Sequence, residues 1–580
     1  MNTPRFFPLI VTGMHRSGLS WVASEINRNC AAQSKMTGCF EDEDFLALQR
    51  RMIMSCCNSK DVGQHDWGWT EHEQFERGAW AQFFPEARQL LSQREWTSTC
   101  WGWKDPRTTL LLDFWEALIP TARYVLVYRF PWDVADSIQR LGVDIFLRQP
   151  KYAFRTWLFY NRQMLNFYHR HSERCLLLSA NALSKAPHQL LALLESKLGM
   201  TVGEGDGDNS FDPGWFKTIE GADPLIDLLG AASPEIITML KELDAGADIS
   251  SSSLWRAESP RARLLRPDQS TNDSVQVSIV IPSYDQGQLL LEAVASAERC
   301  APPQSELIIV DDGSEDQHTL DILQVLRAGG YFVHQQLHGG HVAALNTAVS
   351  LSRGDYVLPL AHDNILCPGF IEAAIDILDT DSLVGVVYGN YHIFGLYSAV
   401  RNVPSFDLDK LLLSNYIDAS SIFRKKVWID CGGYDAAMFY EDWEFWINAA
   451  SLGWQFYKVD QITFNYRVRP NSLLAQVSSH ELLKRQTAYL IRKHSRLYLT
   501  GDRWIDYLSE MWPRFNDYDR LIAERNAAEQ SLRVLSAQLE AIYGSKHWRI
   551  MSWYWTFLAQ ARKVFYQFKL WMFNVRQFFI

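Results

Sequence analysis

The sequence predicts an α/β protein: two doubly wound α/β domains followed by C-terminal helices. Three observations carry this expectation. Apolar runs alternate with helical patterns from residue 1 to about 200, and again from about 275 to 500. Each stretch opens on an apolar strand that runs into a small polar turn, Leu9-Ile10-Val11 before Gly13 to Ser20 and Val277 to Ile281 before Ser283-Tyr284-Asp285. The two openings are too far apart for one ordinary domain in a chain of 580 residues.

In the first stretch, 1–200, Trp21 to Asn27 is expected as the helix after the opening turn. Tyr124 to Tyr128 and Cys175 to Leu178 follow as buried strands, with Val134 to Arg140 helical after the former. Residues 201–274 have the composition of a linker, with Gly and Asp at 203–208, serines at 250–253 and a short helix around Pro234 to Leu243. The second domain, 275–500, places strands at 277–281, 306–310 and 356–360 between helices at 288–299, 317–327 and 341–351. A helical extension, 501–544, carries Ala528, Leu532, Leu535, Leu539 and Ile542 at four- and three-residue steps, the pattern of a packing or homodimer helix over 519–543.

The last segment, 545–580, has six Lys or Arg and no acidic residue. On a helix, Phe557, Val564, Trp571 and Phe578 share a stripe opposite Arg562, Lys569 and Arg576. Two readings stand: an interfacial helix giving peripheral contact with an anionic membrane, and a terminal helix docked on the protein. The formal net charge of −11 argues against general nucleic-acid binding. Nine cysteines are scattered without metal-ligand spacing, as expected of a cytoplasmic protein with reduced thiols. No apolar run approaches about 18 residues, so no spanning helix is expected.

The first turn has the form of a phosphate cradle, in which backbone N–H groups of Gly13, Ser17, Gly18 and Ser20 and the following helix N-terminus favour an anion. A Walker A loop needs Lys after its second Gly, but Leu19 stands there and the cation is Arg16 inside the loop. Trp103-Lys104-Asp105-Pro106-Arg107 and Tyr128-Arg129-Phe130-Pro131-Trp132-Asp133-Val134-Ala135-Asp136-Ser137 follow in order. Together these resemble the sulfotransferases that use 3′-phosphoadenosine 5′-phosphosulfate. The resemblance implies that Gly13 to Ser20 holds the phosphosulfate end and that Arg129 and Ser137 bind the 3′-phosphate. Arg16 and Lys104 would supply charge where the bridging oxygen leaves. Phe40-Glu41-Asp42 resembles an element of bacterial members, which makes Glu41 the first candidate for the base and His15 the second.

The second domain carries Val277 to Tyr284, Glu306 to Ser314, Gly339-Gly340-His341-Val342-Ala343-Ala344-Leu345-Asn346 and Arg353-Gly354-Asp355-Tyr356. Gly432-Gly433-Tyr434-Asp435 and Tyr440-Glu441-Asp442-Trp443-Glu444-Phe445-Trp446 come later. In this order they resemble the family 2 glycosyltransferases, inverting enzymes of the GT-A type. The resemblance implies a nucleotide-sugar donor held at strand ends by Pro282, Asp285, Asp311 and Asp312, and a catalytic pair at Glu441 and Asp442. Asp442 would deprotonate the acceptor hydroxyl. The metal motif departs from the family: Leu360-Ala361-His362-Asp363-Asn364 keeps Asp363 for a divalent ion (Mn or Mg) but lacks the first carboxylate. His362 is expected to point away by strand alternation.

The reading is a bifunctional carbohydrate enzyme, at the inner face of the plasma membrane, that makes a sulfated cell-surface or exported glycan. Three alternatives stand beside it. One is a glycosyltransferase whose N-terminal domain binds nucleotide without catalysis. Another is a sulfotransferase with a non-catalytic sugar-binding domain, and the third is a peripheral scaffold.

Overall fold

The computed structural model describes residues 7–29, 43–57, 67, 75–93, 102–200, 218–219, 223–268, 274–470, 472, 480–498, 527, 530–531 and 534. Glu41 and the 545–580 segment lie outside the described residues, as does nearly all of 501–544. Among the described residues no helix is long and apolar enough to cross a membrane.

The first sheet is built from β1 (Leu9–Gly13), β2 (Gly102–Lys104), β3 (Arg123–Tyr128) and β4 (Cys175–Ser179). They lie in the order β2-β1-β3-β4, with every pairing parallel. Runs such as Leu9-Ile10-Val11 and Cys175-Leu176-Leu177-Leu178 are buried along their whole length, as a parallel sheet covered on both faces requires. Crossover helices supply the cover, among them Leu19–Asn29, Pro131–Leu141 and the long Lys151–His171. β2 is the strand that apolar patterning does not mark, because its three residues are Gly102, Trp103 and Lys104.

Within 201–274, helices Asp223–Ala232 and Pro234–Gly246 bury Leu228, Leu229, Leu240 and Leu243. The first packs on Gly287–Cys300 of the second half, and the second packs on Lys151–His171 of the first. Asp244 ties this layer down: its Oδ1 accepts from the Tyr128 hydroxyl at 2.5 Å and its Oδ2 from the Trp255 indole at 2.8 Å. Ile249 then bridges to Leu178, so the segment extends the edge of the first sheet.

The second sheet contains β5 (Val277–Ser283), β6 (Ser305–Asp311), β7 (Phe332–Gln335), β8 (Tyr356–Pro359), β9 (Ile365–Leu366), β10 (Val384–Gly395), β11 (Ala399–Arg401), β12 (Ile422–Arg424) and β13 (Gln455–Val468). Its order is β7-β6-β5-β8-β12-β10-β13-β9, with β11 on β10. The half from β7 to β8 is parallel, whereas β12 pairs antiparallel with both neighbours. The sheet is therefore mixed rather than purely doubly wound. The expected strands and helices at 277–360 are all present, and the β9 to β13 portion is the part that strand-helix alternation does not describe.

Candidate functional site

Each half leaves its first strand through a strained turn. Arg16 (φ 69°) and Asp285 (φ 49°) are the two non-glycine residues with positive φ among the described residues, and each lies just beyond the carboxyl end of that strand. Such backbone persists where surrounding contacts over-determine it, often at binding sites. In an open parallel sheet, ligands bind beyond the carboxyl ends of strands. The two turns are thus equivalent positions in two separate sheets.

In the first half, Gly13 permits the departure from β1, because a Cβ there would lie 2.0 Å from the carbonyl oxygen of Val127 on β3. A turn from Met14 to Ser17 follows, closed by Ser17 N–H on the Met14 carbonyl at 3.2 Å, and Gly18 (φ 87°) leads into helix Leu19–Asn29. Arg16 reaches across this turn. Its Nε donates to the Ser137 hydroxyl at 2.8 Å, and its carbonyl accepts from Arg129 Nη1 at 3.1 Å. Arg16, Arg129 and Ser137, distant in sequence, therefore form one cluster. Arg129 is buried and lies 3.8 Å from the Asp133 carboxylate. Burial lowers the pKa of both guanidinium groups; Asp133 opposes this for Arg129, and the nearby Arg140 lowers both further. A concentration of cationic donors that repel one another is a site that an anion would stabilise.

Lys104 arrives beside the same turn from β2, with Nζ 3.3 Å from the Ser20 hydroxyl. Ser17 is buried, and its hydroxyl has no partner among the described residues. His15 rests against Trp67, ring centroids 4.3 Å apart, and against Tyr160 at 6.0 Å. Asp105 and Arg107 serve the scaffold: Asp105 accepts from Gln49 at 2.8 Å and from the Arg107 backbone at 2.9 Å, which caps the turn after β2.

In the second half, the acidic strand ends divide by task. Asp311 is fully buried; it accepts from the Ser314 hydroxyl at 2.5 Å and from Gln335 at 2.9 Å. Asp312 is 2% exposed and accepts from Gly339 N–H (2.9 Å), Gly340 N–H (2.8 Å) and Gln336 (2.7 Å), with His338 Nδ1 at 3.0 Å. A carboxylate has about four acceptor positions, so this one is filled by its own chain. Both carboxylates hold the loops at the end of β6 in place through these bonds. Asp285 likewise accepts from the backbone N–H groups of Glu315 and Asp316, each at 2.8 Å. Pro282 offers its carbonyl to His362 Nδ1 at 3.3 Å.

Glu441 and Asp442 begin helix Glu441–Ser451, where the N-terminal dipole favours acidic groups. Asp442 accepts from Asn415 Nδ2 at 2.8 Å through one oxygen and from Trp443 N–H at 2.8 Å through the other. Burial first, then the charges of Glu441 and Asp418, push the Asp442 pKa well above the ordinary carboxylate range. Asp418 is itself pushed up to about 6, chiefly by burial. Glu441 pairs with His341 Nε2 at 3.1 Å. Burial opposes the charged form of that ring, but Glu441, with Asp442 and Asp363 behind it, outweighs burial and raises its pKa. A carboxylate with raised pKa, held by an amide and ringed by other acids, is suited to take a proton near neutral pH.

Asn415, Asp418 and His341 escape a reading of motifs. The first two sit in a loop of ordinary polar composition, and His341 had only its place after Gly339-Gly340 at a helix start to mark it.

Asp363 was expected to hold a divalent ion. Its Oδ2 lies 3.0 Å from Arg469 Nε and 2.9 Å from Nη2, and its backbone carbonyl accepts from Arg467 Nε at 2.9 Å. Asn364 is buried and accepts from Arg467 N–H at 3.2 Å, which fixes the end of β13. His362, with its pKa lowered by burial, offers one neutral nitrogen. No group of three His, Cys, Asp or Glu gathers at a metal-binding spacing among the described residues. A divalent ion at a nucleotide site takes one or two carboxylates and completes its shell with water and phosphate oxygens; here the one carboxylate is already paired with Arg469 and Ala361 supplies no second, so these residues do not fit one.

Residues 278–439 match the family model described as glycosyl transferase family 2. An uncharacterised glycosyltransferase of Rickettsia typhi is 28% identical over 234 residues, 36% of this chain and 70% of that protein. The Escherichia coli chondroitin synthase is 30% identical over 196 residues, 33% of this chain and 28% of the synthase. A Rickettsia conorii relative is 32% identical over 118 residues, so this chain spans only 20% of that protein's own length. Residues 1–349 of S. aureus TarS in complex with UDP-GlcNAc superpose with a TM-score of 0.32 at 20% identity, over 37% of this chain and 66% of the other.

Proposed function

We infer, from the family 2 glycosyltransferase domain that this chain carries in its C-terminal part, that it transfers a sugar from a nucleotide-sugar donor to a hydroxyl of a glycan or lipid-linked acceptor. The single observation that supports the assignment of roles is Asp442: an acid with raised pKa, held at 2.8 Å by Asn415 at a helix start. In the proposed reaction Asp442 takes the acceptor hydroxyl's proton as that oxygen attacks the anomeric carbon. The bond to the nucleoside diphosphate breaks on the opposite face, so the configuration inverts. His341 keeps Glu441 paired, which leaves Asp442 as the proton acceptor.

The N-terminal half supports a second reading, because Arg16, Arg129 and Ser137 converge. In it, that half binds 3′-phosphoadenosine 5′-phosphosulfate and transfers sulfuryl to a carbohydrate hydroxyl. Arg129 and Ser137 hold the 3′-phosphate, and the Gly13 to Ser20 turn with Lys104 faces the phosphosulfate. His15 and Glu41 both remain candidates for the base. Product would be a sulfated cell-surface or exported glycan, made at the inner membrane face with the 545–580 segment as a peripheral anchor.

The test is a donor screen. Purified protein is incubated with a panel of nucleotide sugars and, separately, with the phosphosulfate donor, each with a mixture of glycan acceptors. Nucleoside diphosphate release that disappears in Asp442→Asn is expected from the first panel. Release of adenosine 3′,5′-bisphosphate that disappears in Arg129→Ala is expected from the second. No release from a panel would remove the corresponding activity, and release unchanged by a substitution would remove the role given to that residue.

A further inference from the structure

The carboxylate in the metal position of the glycosyltransferase half already has a cation, and that cation belongs to the chain. Arg469 places Nε and Nη2 on Asp363 Oδ2, at 3.0 and 2.9 Å, while its Nη1 donates to Gln286 Oε1 at 2.8 Å. Gln286 directly follows the strained Asp285 on the turn leaving β5, so the guanidinium bridges that turn to the Asp363 turn. Its side chain is 3% exposed, which keeps the pair in a medium of low effective dielectric. Arg467, two residues earlier on β13, donates to the Asp363 carbonyl and pairs with Glu292 at 2.6 Å. One permanent cation therefore sits on this carboxylate and a second, paired with Glu292, on its backbone carbonyl, and Ala361 supplies no second carboxylate.

We propose that this half binds its nucleoside diphosphate without a divalent metal, with Arg469 as the fixed positive charge at Asp363 in the metal's place. The proposal rests on the nucleotide-sugar reading above. Its physical basis is charge and geometry. A divalent ion at Asp363 would have to displace or repel a buried guanidinium that spans two loops. Arginine cannot lose its proton to make room. Burial alone would raise the Asp363 pKa, yet the Arg469 guanidinium beside it, with lesser help from Arg467, holds it below the usual carboxylate range. Planar guanidinium groups also recognise phosphate oxygens through paired N–H donors, so a diphosphate at this strand end would meet a cation that needs no recruitment.

Binding of a panel of nucleoside diphosphates (UDP, GDP, CDP, ADP and dTDP) to the full chain is measured calorimetrically, in EDTA and in millimolar Mn²⁺ or Mg²⁺. The proposal expects at least one to bind with the same Kd, within about twofold, in all three conditions. Mn²⁺ alone, followed by its electron paramagnetic resonance signal, should show no site on the wild type. Arg469→Ala should weaken nucleotide binding at least tenfold in EDTA, and Mn²⁺ should restore part of it by occupying the freed Asp363. Arg469→Lys, which keeps the charge, should lose less. Binding that requires Mn²⁺ or Mg²⁺ in the wild type would overturn the proposal and leave the glycosyltransferase reading standing. Binding of none of the five, with or without metal, would sink both.

Discussion

Asn415 donates its side-chain amide to Asp442 at 2.8 Å, and this bond joins two elements 27 residues apart at the proposed proton acceptor. The amide can only donate at that position. It therefore favours the ionised carboxylate and partly offsets what burial does to it.

Removing that donor should show in the pH profile before it shows in anything else. Asn415→Ala is expected to raise the Asp442 pKa further, which moves the acid limb of the proposed sugar transfer to higher pH. Full activity should return well above the new limb. A profile scaled down uniformly at every pH would mean that Asn415 acts on folding or substrate instead.

Glu441 should act in the opposite sense. After burial, its charge is the largest influence raising the Asp442 pKa. Glu441→Gln is thus expected to shift the acid limb to lower pH. Asp442→Asn should reduce kcat by about 10²- to 10⁴-fold, the range for losing a general base.

Asp418 predicts a stability change with a definite sign. Its folded pKa, pushed up to about 6, lies above the unfolded value of about 4. Between these values the folded chain holds more protons, so stability falls as pH rises through that window and is lower above about pH 6. Asp418→Asn should therefore raise the Tm at pH 7 and have little effect near pH 4. Equal Tm shifts at both values would contradict the assignment.

For the N-terminal cluster, Arg129→Ala is expected to weaken binding of the proposed phosphosulfate donor by about 10- to 100-fold, the cost of charge-assisted hydrogen bonds. Ser137→Ala removes one neutral hydroxyl and should cost less than tenfold. Donor binding unaffected by either would detach this cluster from the ligand.

Gly13→Ala tests the scaffold alone. The new methyl would overlap the Val127 carbonyl, and overpacking of this kind costs about 3 kcal/mol. A lower Tm is expected, with β1 and β3 forced apart. An unchanged Tm would show that the strands have room the geometry denies.

Much of this was legible beforehand because it is local. Leu9-Ile10-Val11, Tyr124 to Tyr128 and Val277 to Ile281 are apolar along their whole length, and a strand buried on both faces needs little else. Gly13, Gly18 and the acids at 311–312 mark turns at strand ends for the same reason. β2 escaped because three residues with one charge carry no period, and β9 because it is only Ile365 and Leu366.

The sequence by itself determined where the two strand ends with their polar turns lie and which residue types crowd them. It also singled out the adjacent acids Glu441 and Asp442. What only the tertiary structure decided is the partner of each charge. Asp312 met the backbone of Gly339 and Gly340, Asp442 met Asn415, and Asp363 met Arg469 from 106 residues away. The reason is physical. Periodicity and turn chemistry act between neighbours along the chain, whereas a buried charge takes whichever donor the packing of distant strands brings within about 3 Å.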